Sequence, residues 1–434
     1  MLRAPRSGWL SRVLSPSIAF RLIPAVTLVV VVGCGGGALS SPTAAPAAPT
    51  KPAAAPTTAA APAASAASPA APTTAAAAPA GGKTIKLGVR TALSGSVAKP
   101  GNEVLNSVQL AVDEWNAKGG VAAMKIDVVG VDDASNPGQS ATVSEKLCAD
   151  SDIMGVVGSF QSATGIPSTE VLNKCSLGYI TPGETNPKVT DRELNNVNRV
   201  CPRDDDQGPA VAIYAKDVLN AKKVFVIDDQ STGGKGAADE FDKKAKDLGI
   251  ATQRGAIKVG DKDFRAILST MPKDIDAVAF YGFAPEGALV AKQMRELGYN
   301  QPIMGGDGLY EPEDFVKASG GAAESAVVSF VGPDIHATPD AANFVKAFES
   351  KYGAVSSYGP QAYEAANIIL TAIQKVGKAD RAAIRDAIRQ TKDYKGILGI
   401  PITFDAKGDV AGGTIFVFRV REGKFVQDKV IKTR

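Results

Sequence analysis

Residues Ile153–Gly165 read IMGVVGSFQSATG. The run Ile153-Met154-Gly155-Val156-Val157 has the length and β-branched content of a buried strand. It stops at Gly158; Ser159, Ser162 and Thr164 follow, and a helical pattern begins near Ile166. A strand that ends in a Gly/Ser/Thr turn and feeds a helix leaves free backbone N–H groups beside hydroxyl donors, which suits a carboxylate or phosphate. Taken alone, the same residues also describe an ordinary loop with an N-capping serine. The anion reading gains weight only if the chain repeats this order elsewhere.

It does so along most of its length. Ile85–Val89 reads as a strand, and Val104, Leu105, Val108, Ala111, Val112 and Trp115 follow helical spacing until Gly119-Gly120. Strand Met124–Val131, helix Pro137–Leu147, strand Ile153–Val157, helix Ile166–Asn173 and strand Leu177–Ile180 come next. The order restarts with helix Pro209–Leu219, strand Val224–Ile227, helix Lys235–Leu248 and strand Ala251–Ile257. Helix Phe264–Met271, strand Ala277–Tyr281, helix Pro285–Leu297 and strands Pro302–Met304 and Ala326–Val331 follow. Such alternation implies two parallel sheets covered on both faces, with ligands at the carboxyl ends of the strands. After Gly332-Pro333 come three helices, Ala341–Lys351, Gln361–Lys375 and Arg381–Gln390, then β-like segments Ile400–Phe404 and Thr414–Val420. The fold class expected is α/β, two doubly wound parallel-sheet lobes joined by three crossovers near residues 204, 333 and 399. The lobes are 83–204 with 334–398, and 205–333 with 399–434.

The segment ahead of this body has a different character. Arg3, Arg6, Arg12 and Arg21 form a basic start with no acidic residue, and Ala25–Val32 continues an apolar run too short for a stop-transfer span. Val31-Val32-Gly33-Cys34 resembles the lipobox of bacterial lipoproteins, which implies a signal peptide over 1–33 and lipidation of Cys34. Apart from Leu39, residues 35–82 are Ala, Pro, Thr, Ser and Gly with Lys51 as the only charge, a composition expected to form a disordered, semi-rigid tether. Without the four arginines the 48 Lys+Arg become 44 against 45 Asp+Glu, and the formal net charge moves from +3 to −1. That balance gives no reason to expect a nucleic-acid partner.

Across 84–420 the body resembles the leucine/isoleucine/valine-binding receptors of ABC transporters, which have the type I periplasmic-binding fold. The likeness is carried by Ile85–Gly95 (IKLGVRTALSG), Asn116–Gly120 (NAKGG), Val131-Asp132-Asp133 and Tyr179–Asn186 (YITPGETN). It continues through Asp206–Pro209 (DQGP), Lys262-Asp263-Phe264 and Phe404–Asp409 (FDAKGD). The resemblance implies a clamshell that closes on a small amino acid, branched-chain or related, and delivers it to permease subunits of an importer, with no cofactor. A sensory module and a receptor for a non-amino-acid carboxylate or amide are the alternatives on the same fold.

Matched position by position, the resemblance places Ser162 on the ligand carboxylate. Gly183 contributes a backbone group and Thr185 a hydroxyl; Asp307 pairs with the ligand ammonium, and Phe283 closes the pocket from the second lobe. Gly233 stands where amino-acid binders usually carry a tyrosine, which leaves the side-chain end open. Glu184 is a charge where small residues are common, read as solvated or as repelling some ligands. Cys148 and Cys175 end helices on either side of strand Ile153–Val157, at the sheet's non-ligand edge. A disulfide between them is expected, against three buried free thiols; Cys201 has no reading.

Enzyme readings find little support. His336 is the only histidine, so a Ser–His–carboxylate triad or a His-rich metal site would have to be built on it. Ser231–Gly236 (STGGKG) lacks the Gly-x-x-x-x-Gly-Lys spacing of a phosphate loop, and Thr91–Gly95 lacks the dinucleotide fingerprint. Asp132-Asp133 and Asp204–Asp206, at strand ends, read as solvated or capping residues rather than metal ligands.

Overall fold

The computed structural model describes residues 83–433. The expected signal peptide, the expected lipidation site Cys34 and the expected tether lie outside these residues. The first sheet comprises β1 (Thr84–Thr91), β2 (Lys125–Asp132), β3 (Ile153–Val157), β4 (Tyr179–Thr181) and β5 (Val197–Arg199), in the order β2-β1-β3-β4-β5 and parallel throughout. Helices α1 (Ala98–Ala117), α2 (Pro137–Ala149) and α3 (Ser162–Lys174) connect these strands, and α4 (Asp204–Asp217) leads out of the sheet. All five residues of β3 are buried, with Met154 and Val157 in one core and Ile153 and Val156 in another. Cover on both faces is why this strand is an unbroken apolar run.

The second sheet contains β6 (Lys223–Asp228), β7 (Ala251–Ala256), β8 (Ala277–Tyr281), β9 (Ile303–Gly305) and β10 (Val327–Phe330). Their order, β7-β6-β8-β9-β10, repeats that of the first sheet, with α5 (Thr232–Asp247), α6 (Arg265–Leu268) and α7 (Ala284–Glu296) as connections. The chain then supplies α8 (Ala342–Tyr352), α9 (Gly359–Val376) and α10 (Arg381–Arg389), whose buried faces join the core of the first sheet. It returns to the second sheet as β11 (Thr414–Arg421) and β12 (Lys424–Lys432). This gives two α/β lobes with three connections between them.

Several boundaries differ from the sequence expectation. The second sheet is mixed: β11 runs antiparallel to β10, and β12 pairs antiparallel with β11. β12 escaped notice because its charged and apolar residues, KFVQDKVIK, mark a partly exposed edge rather than a buried strand. Ile400–Phe404 is not a strand; Ile402 and Phe404 each make a single bridge, to Tyr394 and Val410. Both α3 and α4 begin ahead of their prolines, Pro167 and Pro209, which the sequence reading placed at or near helix starts. Each proline forfeits one backbone hydrogen bond, and the extra turn brings Ser162 and Asp204 to helix N-termini.

Buried charges tie the connections together. Arg199, ending β5, pairs with Asp409 on the return segment through Nε–Oδ1 at 2.6 Å, and Arg203, just ahead of α4, reaches Asp409 Oδ2 at 2.8 Å. One carboxylate therefore links the first and third connections between the lobes. No helix among the described residues is long and apolar enough to cross a membrane.

Candidate functional site

A cavity of about 70 Å³ lies where the carboxyl ends of the two sheets face each other. This space is well above the roughly 15 Å³ that a single water needs. The first lobe contributes the loop from β3 into α3, Thr185 after β4, and Tyr358 just ahead of α9. Loops after β6, β8 and β9 contribute from the second lobe. Both sets sit where open α/β sheets bind ligands, because there the strands end and the helix N-termini begin.

Ser162 and Ala163 open α3 and line the cavity. Their N–H groups have no acceptor within the helix, so this end of the cavity favours an anion. Ser162 Oγ accepts from the Asn186 N–H at 3.1 Å, which leaves the hydroxyl proton to donate. Thr185 is close by, its carbonyl accepting from the Asp204 N–H at 2.9 Å.

The opposite wall is acidic. Asp307 follows β9; its Oδ1 accepts from Gln207 Nε2 at 3.1 Å and its Oδ2 from the Tyr358 hydroxyl at 2.8 Å. Burial raises its pKa, and those two hydrogen bonds hold the rise back. Asp204, at the start of α4, is only 1% exposed, and its Oδ2 has no hydrogen-bond partner. Burial, reinforced by the charge of Asp307, pushes its pKa up to about 7. No Lys, Arg or His is among the described residues that line the cavity. Two carboxylates without a cation call for a positively charged ligand group.

Aromatic rings close the remaining side. Phe160 stacks on Tyr358 with centroids 5.0 Å apart, and meets Phe283 of the second lobe edge-on at 6.2 Å. Asn186 Nδ2 also crosses the cleft, donating to the Thr232 carbonyl at 3.0 Å. The lobes are thus in contact around the cavity.

Of the residues singled out from sequence, Ser162, Thr185, Phe283 and Asp307 line the cavity together. Gly183 does not. Its N–H donates to Thr181 Oγ1, and a Cβ there would stand 2.6 Å from the Tyr358 ring, so the glycine makes room for the aromatic stack. Glu184 is neither solvated nor turned to the ligand. It is fully buried against Arg90, which also holds Asp133, the Tyr179 hydroxyl and, at 2.8 Å, Thr164 Oγ1. This ion cluster ties the loops after β1, β2, β3 and β4 together from behind. Gly165 is part of it, since a Cβ at that position would lie 2.1 Å from Glu184 Oε2.

Asp133, Asp204 and Asp206, read as solvated or capping, are all buried. Cys148 and Cys175 are joined, with sulfurs 2.05 Å apart, and the Cys201 thiol is buried and free. His336 pairs with Glu349 on an exposed turn, away from the cavity. Sequence reasoning missed Phe160, Gln161, Asp204, Gln207 and Tyr358. The Asp206–Pro209 motif contains Gln207 and lies two residues from Asp204 without indicating a site role for either. Tyr358 carries no local signal and reaches the site only through the chain's return to the first lobe.

Comparison with known proteins agrees with this geometry. The sequence model of the family described as periplasmic binding protein matches residues 84–424. A Leu/Ile/Val-binding protein homolog 2 from Brucella abortus is 34% identical over 342 residues, which cover 78% of this chain and 91% of the relative. The leucine-binding protein LivK of Thermotoga maritima superposes with a TM-score of 0.75 at 30% identity, covering 80% of this chain and 99% of its own. LivJ of Streptococcus pneumoniae, solved with isoleucine, gives a TM-score of 0.74 at 29% identity over 81% of this chain and all of its own. Two lobes with the same strand order, a cavity at their facing strand ends and a match across nearly the whole body establish that the chain belongs to the periplasmic binding protein family, a family of solute receptors and not of enzymes.

Proposed function

We propose that this chain is the extracytoplasmic receptor of an ABC importer, taking a small α-amino acid, branched-chain or related, into the cleft between its lobes. The lobes are 83–204 with 334–398, and 205–333 with 399–434. It delivers the solute to membrane permease subunits, and lipidated Cys34 tethers it to the outer face of the cytoplasmic membrane. The reading is carried by one observation, the opposed polarity of a single cavity. Free N–H groups of α3 with the Ser162 hydroxyl stand on the first lobe, and the Asp307 carboxylate stands on the second. A zwitterion satisfies both ends at once, carboxylate to the N–H groups and ammonium to Asp307. By bridging the lobes it also links recognition to closure. Names and bound ligands of the relatives support the amino-acid class.

The test is Asp307→Ala in the full chain, titrated with the solute that co-purifies with it and is identified by native mass spectrometry. Truncating the partner of a buried charged group costs about 2–5 kcal/mol, so affinity should fall at least roughly thirtyfold. Unchanged affinity, or a natural solute without nitrogen, would remove the amino-acid reading.

A further inference from the structure

The two head groups of an α-amino acid account for the α3 N-terminus, Ser162 and Asp307. They leave three polar atoms of the lining residues unpartnered: Gln161 Oε1, Asp204 Oδ2 and the Tyr281 hydroxyl. Asp204 and Tyr281 are 1% and 2% exposed, so water does not serve them freely. The amide oxygen only accepts, the Asp204 carboxyl only accepts when ionised, and the phenol can accept as well as donate.

The Asp204 side chain and the Tyr281 backbone both lie near the start of α5. The Asp204 carboxylate is 3.5 Å from where a Cβ on Gly236 would stand, and the Tyr281 carbonyl is 2.6 Å from one on Gly234. At the same helix start Gly233 lines the cavity, and a Cβ there meets nothing within 4 Å. Ser231, the cap of this helix, adds a further hydroxyl to the wall. This end of the cavity is therefore roomy, rich in acceptors and free of cations.

Resting on the amino-acid reading above, we infer that the wall formed by Gln161, Asp204, Tyr281 and the first turn of α5 is a side-chain subsite for a hydrogen-bond donor. The solute is then an amino acid whose side chain ends in an amide or hydroxyl, not leucine, isoleucine or valine. An aliphatic side chain would seal the acceptors from water with nothing to pair them, and a buried acceptor left unpaired is costly. Sites built to hydrogen-bond a substrate reject the analogue that lacks the group more strongly than apolar pockets reject an extra methylene. An acidic side chain is repelled by the ionised Asp204 carboxylate.

Calorimetric titration of the full chain, stripped of co-purified solute, tests this against asparagine, glutamine, serine, threonine, glutamate, leucine, isoleucine and valine. At least one amide or hydroxyl amino acid should bind tenfold or more tighter than any branched-chain one, and glutamate should not bind. Gln161→Met and Tyr281→Phe should each lower that preference about fivefold, with a wild-type circular-dichroism spectrum and a cooperative thermal transition reporting that the variants are folded. Branched-chain amino acids binding as tightly as the polar ones would overturn the subsite and leave the amino-acid reading standing. A polar preference that survives both substitutions would overturn the assignment to these atoms. Binding of nitrogen-free carboxylates with no amino acid bound would instead overturn the amino-acid reading itself.

Discussion

The Tyr358 hydroxyl donates to Asp307 Oδ2 at 2.8 Å, joining the start of α9 on the first lobe to the end of β9 on the second. The residue assigned to the ligand ammonium is therefore also one that holds the lobes together. Ligand binding and closure draw on the same carboxylate.

Tyr358→Phe separates the two roles. It removes the cross-cleft hydrogen bond and keeps the ring stacked on Phe160. A hydrogen bond to a charged acceptor contributes about 1.5 kcal/mol or more, so the closed form should lose roughly tenfold in population relative to the open one. Solution scattering of the unliganded variant should give a larger radius of gyration than wild type, with affinity lower by up to about tenfold. If radius and affinity both match wild type, the bond plays no part in closure.

Binding should release a proton. In the empty cavity burial and the neighbouring Asp307 raise the Asp204 pKa to about 7, while Thr185 and Arg199 act in the opposite direction. A ligand ammonium in the same cavity favours the ionised carboxylate and lowers that pKa again. The site must then give up a proton below pH 7 and not above it, so affinity rises with pH. Between pH 6 and pH 8 the gain should approach roughly tenfold, and Asp204→Asn should abolish most of it. Flat affinity across this range, or a pH dependence that survives Asp204→Asn, would exclude Asp204 as the group responsible.

Arg90 is the single cation of a cluster in which Asp133 and Glu184 are also fully buried. Arg90→Met keeps the length of the side chain and strands both carboxyl groups. Breaking such a pair from one side costs about 3–5 kcal/mol, read as a lower denaturant midpoint. Because the cluster braces the loops that present Ser162 and Thr185, affinity should fall along with stability. A variant as stable as wild type would show that the carboxyl groups are accommodated as neutral acids.

The Cys148–Cys175 bridge, spanning 27 residues, lies where α2 and α3 end, remote from the cavity. Closing a loop of this length contributes about 3–4 kcal/mol in the chain-entropy view. The double variant Cys148→Ala/Cys175→Ala should unfold at a lower temperature and bind its solute with unchanged affinity. A loss of affinity without loss of stability would contradict this division.

Local pattern determined much of this protein. Apolar runs such as Ile153–Val157, alternating with helical spacing, were enough for two α/β lobes, because a strand covered on both faces must be apolar throughout. The turn after that strand marked Ser162, and the family resemblance marked Thr185, Phe283 and Asp307, all of which the fold brings to one cavity. Tertiary structure decided the rest. Glu184 and Gly183 sit in the motif that pointed to the site, yet one is spent on Arg90, 94 residues away in sequence, and the other on an aromatic stack. Whether an acidic residue is solvated, paired or aimed at a ligand depends on what packs against it, and Asp204 and Glu184 gain their neighbours only when distant segments meet. Tyr358 reaches Asp307 because the chain crosses back to the first lobe, and no local sequence pattern encodes that long-range contact.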